Sequence, residues 1–151
     1  MRNVVRVVLL AGAVAMLAIG AAPGVAGAQG RQIVTTGGRG SAMLSAGVRV
    51  GDLVFASGQL PARGDSTIET QTASALNSVK SVFEAAGTRM ENTVKCTVFL
   101  VDVKDFQGMN SSYSKFWSPE NPPPARSTVV VAALVSPGAK LEIECIAAMP
   151  K

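Results

Sequence analysis

Apolar and polar positions repeat along this chain with two different periods, and the switches between them outline a fold. Val48-Arg49-Val50, the dipeptide Gly51-Asp52 and Leu53-Val54-Phe55-Ala56 predict a β-hairpin about a two-residue turn. Ser57-Gly58-Gln59-Leu60-Pro61 ends its second strand, and Gly64-Asp65 marks the next turn. The period then lengthens. Ala73, Leu76, Val79, Val82, Phe83 and Ala86 recur at helical spacing behind Ser66-Thr67-Ile68-Glu69, a capping-box pattern, and Gly87 supplies the stop. Val94, Cys96, Val98 and Leu100 alternate with Lys95, Thr97 and Phe99, as in a strand. Asp105 is placed to cap a second helix, with Phe106, Met109, Tyr113, Phe116 and Trp117 on one face and Pro122-Pro123-Pro124 at its end. Strands over 127–133 and 140–148 complete the pattern.

The order ββ-α-β-α-ββ predicts an α+β fold: one mixed β-sheet with two helices packed on one face. Two helices cover one side only. Yet 128–135 is apolar at nearly every position, as in a strand buried on both faces. Self-association is the expected cover for the second face.

The first 28 residues read differently. Arg2 and Arg6 precede an apolar run from Val7 to Ala22, then Pro23-Gly24 and the small-residue triplet Ala26-Gly27-Ala28. This is the form of a secretory signal peptide, with cleavage expected before Gln29 and residues 29–151 left as one domain. A retained membrane anchor is the alternative, but the run is shorter than the roughly 20 residues that span a bilayer. The expected product is exported, periplasmic or secreted, without a stable membrane anchor. Gly37-Gly38-Arg39-Gly40-Ser41 reads as a flexible stretch near its start.

Composition narrows the chemistry. The chain has no histidine, which removes imidazole bases, Ser-His-Asp and Cys-His pairs, and histidine metal ligands. Two cysteines, Cys96 and Cys145, form no CxxC motif. The formal charge of +4 falls by two when the leader takes Arg2 and Arg6 away. The remaining basic residues make no stripe with interleaved aromatics, so nucleic acid is not an expected partner.

Several short motifs stand in a fixed order: Gly51 to Pro61 (GDLVFASGQLP), Pro124-Ala125-Arg126-Ser127, and Leu141-Glu142-Ile143-Glu144-Cys145-Ile146-Ala147. Asn92-Thr93-Val94-Lys95 through Asp105-Phe106, and Asn110 with Tyr113, fit the same pattern. Over about residues 47–150 the chain resembles the Rid (YjgF) family. The resemblance implies a chorismate-mutase-like fold, a homotrimer and pockets between subunits. It also implies an enamine/imine deaminase that hydrolyses 2-aminoacrylate-type intermediates to 2-oxo acids and ammonia. Such a reaction needs no metal, nucleotide or flavin, so no cofactor is expected.

The residues themselves leave alternatives that the resemblance weighs. Arg126 is either half of a structural ion pair with Glu142 or Glu144, or a bidentate anchor for a substrate carboxylate. The resemblance implies the anchor. Glu142 and Glu144 share the strand face opposite the helices, as two surface acids would. The resemblance singles out Glu142 as the residue that activates water. Ser57 and Gly58 match a Ser-Gly pair lining the pocket, and Asn110 matches a pocket-side position. The chain departs from the pattern in its export leader, unexpected because the familiar members are cytosolic, and at two residues. Leu44, in Ala42-Met43-Leu44, stands where the deaminases carry the tyrosine of a Gly-Pro-Tyr motif, and Thr128 stands where many relatives have cysteine. A non-catalytic trimer that binds small carboxylates is therefore the alternative function, and ribonuclease activity, reported for parts of the family, has neither histidine nor a basic patch behind it. Cys96 and Cys145 both fall on apolar strand phases, so two buried thiols are expected unless their strands are neighbours.

Overall fold

The structure, a computed structural model, describes residues 30–37 and 42–151. The signal peptide assigned to 1–28, its cleavage site before Gln29 and most of the glycine-rich stretch lie outside the described residues. The elements are β1 (Gln32–Val34), β2 (Gly47–Val50), β3 (Leu53–Gln59), α1 (Ile68–Ala85), β4 (Thr93–Leu100), α2 (Phe106–Tyr113), β5 (Ala125–Val130) and β6 (Leu141–Ala148). The strands form one mixed sheet in the order β1-β2-β3-β6-β4-β5, antiparallel except where β5 runs parallel to β4. The predicted α+β architecture holds, with one strand more: β1 is too short to show a period, and its pairing with β2 makes it a strand.

Local chemistry explains most boundaries. Val50 pairs with Leu53 across the hairpin, and Gly51 sits at φ 56°, where a side chain would be strained. The α1 cap lies one residue later than the capping-box pattern predicts. Thr67 caps, accepting from the Thr70 amide at 3.2 Å, and the Thr70 hydroxyl accepts in return from the Thr67 amide at 3.3 Å. Asp105 does not cap the second helix either. Its backbone is already helical, and its carboxylate pairs with Lys140 at 3.1 Å, while Asp102 accepts from the Lys104 amide at 2.9 Å.

One face of the sheet carries the core. Val54, Ala56, Cys96, Val98, Leu100, Leu141, Ile143, Cys145 and Ala147 are buried with Leu76, Val79, Val82 and Phe83 of α1 and Met109 and Tyr113 of α2. Each fully buried aliphatic or phenyl side chain contributes about 1.5–3 kcal/mol. Val94 breaks the expected phase and is 48% exposed, because β4 bulges between Thr93 and Lys95. Helix α2 lies close on the start of α1: Ser112 donates to the Glu69 carbonyl at 2.8 Å, and a Cβ on Gly108 would meet the Glu69 carboxylate at 2.6 Å. Gln71, buried in α1, donates to the carbonyls of Asp65 and Gly138 and accepts from the Lys140 amide. It ties the two loops that flank the helix start.

Among the described residues nothing covers the other sheet face. Ile33, Phe55 and Val129 are exposed on it. The strand expected to be buried on both faces is instead the edge strand β5, which stops at Val130, and Val129 is 45% exposed. Its continuous apolar character is not satisfied by the described residues of its own chain.

The expectation of free thiols is also corrected. Cys96 and Cys145 are direct partners across β4 and β6, with Cα atoms 4.1 Å apart, and they form a disulfide. The element order alone did not show that β6 inserts beside β4. A cross-link between residues 49 positions apart contributes about 2–4 kcal/mol by restricting the unfolded chain. Alkylation of the denatured, unreduced protein should therefore label no cysteine, and two after reduction. Two labelled thiols without reductant would contradict the bond.

Candidate functional site

The strand pleat decides where each site residue goes. Arg126 pairs laterally with Cys96, and Cys96 with Cys145, so Arg126 leaves the sheet on the helix side. There α2 receives it. One guanidinium nitrogen donates to Asn110 Oδ1 at 2.7 Å, and another lies 3.8 Å from Met109 Sδ. The guanidinium carbon stands 4.6 Å from the centre of the Tyr113 ring, in cation–π geometry. Tyr113 in turn contacts Trp117, ring centres 5.6 Å apart. Among the described residues Arg126 makes no ion pair. The pair with Glu142 or Glu144 does not form, because those carboxylates leave from the opposite face.

Arg126 and Asn110 open onto a cleft of about 660 Å³, walled by Tyr113, Trp117 and Pro122-Pro123-Pro124. Thr128, two residues beyond Arg126 on the same face, is half-buried, and among the described residues its hydroxyl finds no hydrogen-bond partner. The guanidinium keeps further N–H groups for a ligand. A planar anion such as a carboxylate matches that fork.

The second group of residues gathers across the sheet. Between Ala56 and Gln59 the β3–β6 register shifts, and Ser57 and Gly58 occupy the bulge. The Ser57 hydroxyl donates to the Ser45 carbonyl at 2.7 Å, and its amide to the Ala46 carbonyl at 3.0 Å. Ser57 thus holds the segment carrying Leu44 against β3; Leu44 itself is 60% exposed. Glu142 points from β6 over Gly58. A Cβ on Gly58 would fall on the Glu142 carboxylate, 2.7 Å from Cδ. The absence of a side chain there is what lets the carboxylate lie on the bulge. Glu144, on the same face, is exposed.

The structure therefore splits the predicted site in two. Arg126, Asn110 and Thr128 share one face; Ser57, Gly58 and Glu142, with Leu44 tethered nearby, share the other. Sequence reasoning places Met109, Tyr113 and Trp117 on a helix face without connecting them to the arginine. The Tyr113–Trp117 spacing of one helical turn was the available signal.

Tyr113 has a defined electrostatic state. Burial pushes its phenol up to about 12, with the nearby Arg126 charge pulling the other way. It stays neutral at ordinary pH and offers Arg126 a ring face rather than a base. The folded chain then holds this proton more tightly than the unfolded chain, whose tyrosine titrates near 10, so stability should fall as pH rises from about 10 to 12. Tyr113 is the chain's one tyrosine, so absorbance at 295 nm should give a single tyrosinate midpoint near 12. A midpoint near 10 in the folded protein would contradict the burial argument.

Comparison with known proteins agrees with this architecture. The family model described as Endoribonuclease L-PSP matches residues 39–149. The 2-iminobutanoate/2-iminopropanoate deaminase of Escherichia coli is 38% identical over 107 residues, covering 67% of this chain and 83% of that protein. The crystal structure of the Escherichia coli YjgF gene product superposes with a TM-score of 0.70 at 35% identity, over 79% of this chain and 99% of that one. Escherichia coli TdcF with bound serine gives a TM-score of 0.69 at 35% identity, over 79% and 99% of the two chains. With its motifs, its sheet order and these matches in agreement, the chain belongs to the Endoribonuclease L-PSP family, to which YjgF-like imine deaminases belong.

Proposed function

We propose that this protein hydrolyses reactive enamine/imine intermediates to 2-oxo acids and ammonia. The observation that carries the reading is Arg126, half-buried, oriented by Asn110 and the Tyr113 ring, and without a carboxylate partner among the described residues. A charge held in that way is suited to an anionic ligand. The bound serine of TdcF and the deaminase relative point to small amino-acid-like molecules.

Arg126 anchors the carboxylate and Glu142 activates water. Because the two leave opposite faces of one sheet, the reading requires a second copy: the Arg126 face of one subunit meets the Glu142 face of the next. A homotrimer that buries the uncovered sheet face supplies this arrangement. Water adds to the protonated imine carbon as Glu142 takes its proton; Glu142 returns that proton to the carbinolamine nitrogen, the C–N bond breaks as the carbonyl forms, and the departing ammonia takes up the remaining hydroxyl proton, leaving the 2-oxo acid. The imine carbon is already electrophilic, so positioning and one base suffice. Residues 1–28 would export the protein, and a Cys96–Cys145 disulfide suits an oxidising compartment. The second reading, a non-catalytic carboxylate-binding trimer, is favoured by one observation: Leu44 replaces a hydroxyl and an aromatic ring with an aliphatic side chain.

Two measurements test the proposal. Arg126→Ala should weaken binding of small 2-oxo acids by about 2–5 kcal/mol. Glu142→Gln should keep that binding and lower ammonia release by about 10²–10⁴. Gly58→Ala, which displaces the Glu142 carboxylate, should resemble Glu142→Gln rather than Arg126→Ala. Turnover untouched by Glu142→Gln would favour the binding protein. Separately, light scattering should give about three times the subunit mass; a monomer at micromolar concentration would leave Arg126 and Glu142 apart and end the two-copy site.

A further inference from the structure

The cleft beside Arg126 exceeds what a carboxylate anchor needs. At about 660 Å³ it falls in the range of sites for drug-sized ligands, whereas a pyruvate-sized acid takes the room of only a few waters at about 30 Å³ each. Its walls are mostly apolar. Trp117 and Tyr113 form one side, and Pro122-Pro123-Pro124 forms another with little side-chain freedom to lose on binding. Among its polar side chains Asn110 holds the guanidinium, and Ser114 and Ser118 add two hydroxyls to the lining. One fixed charge beside rigid, mostly apolar walls describes a ligand with a carboxylate head and a bulky apolar tail.

We propose that this cleft is the side-chain subsite of the reaction, selecting 2-imino and 2-oxo acids with branched aliphatic or aromatic side chains over those of pyruvate size. This rests on the carboxylate-anchoring reading of Arg126 and extends it to substrate class. Trp117 and the triproline segment are the specificity-determining residues: they contact the tail and leave the reacting carbon to the anchor and base. One methylene in a well-formed apolar pocket is worth about tenfold or more in discrimination.

The test compares 4-methyl-2-oxopentanoate with pyruvate by calorimetry on the purified protein, alongside the fluorescence of Trp117, the only tryptophan in the chain. The larger acid should bind at least about tenfold more tightly and saturably perturb that emission, with pyruvate perturbing it less. Trp117→Leu should cut the preference several-fold, and the wild-type fluorescence carries the test if that variant does not fold. Equal affinity for the two acids, as when a neighbouring subunit fills the cleft, would overturn the subsite while leaving the Arg126 anchor standing. Binding of neither acid would overturn both.

Discussion

Strand β6 lies between β3 and β4, and its pleat sends Leu141, Ile143, Cys145 and Ala147 under the helices while Glu142 and Glu144 leave by the other face. The buried row fixes the register. A slip of one residue would bring two carboxylates into the core and expose four apolar side chains. The hydrophobic effect that holds the sheet against α1 is thus the same force that aims Glu142. The β3 bulge then brings Gly58 beneath that carboxylate, and the bulge also anchors Ser57 to the loop ahead of β2.

The arginine half of the site depends on a different contact, the seating of α2 on the start of α1. Gly108 allows the approach and Ser112 binds the Glu69 carbonyl across it. Lys140 holds the helix entrance through Asp105. Because Asn110 and Tyr113 are carried on this short helix, the position of the guanidinium is set by packing at some remove from it.

Much of this was legible in the sequence, for reasons tied to particular residues. The hairpin at Gly51-Asp52, the α1 stripe and the alternation along β4 each impose a local period that burial later obeys. The α1 cap was one residue away from its pattern because Thr67 and Thr70 satisfy each other as well as Ser66 and Glu69 would have. Asp105 was misread because a distant partner, Lys140, competes for a carboxylate that looks local. Val94 was not legible, and the disulfide only as a condition on its strands: one depends on a bulge and the other on which strands become neighbours, and both are properties of the assembled sheet. The residues of the site could be named individually, yet their division between two faces needed the register.

The disulfide encloses the stretch from Cys96 to Cys145, and that ring contains α2, β5 and β6 as far as Cys145, Glu142 included. Asn110, Arg126 and Glu142 therefore all belong to one covalent loop. A protease that cuts once in the exposed 131–139 connection would open the ring into two arms without releasing either. Both arms would stay tied at the centre of the sheet, with the arginine on one and the glutamate on the other. Such a closure turns a chain break from a loss of material into a local scar.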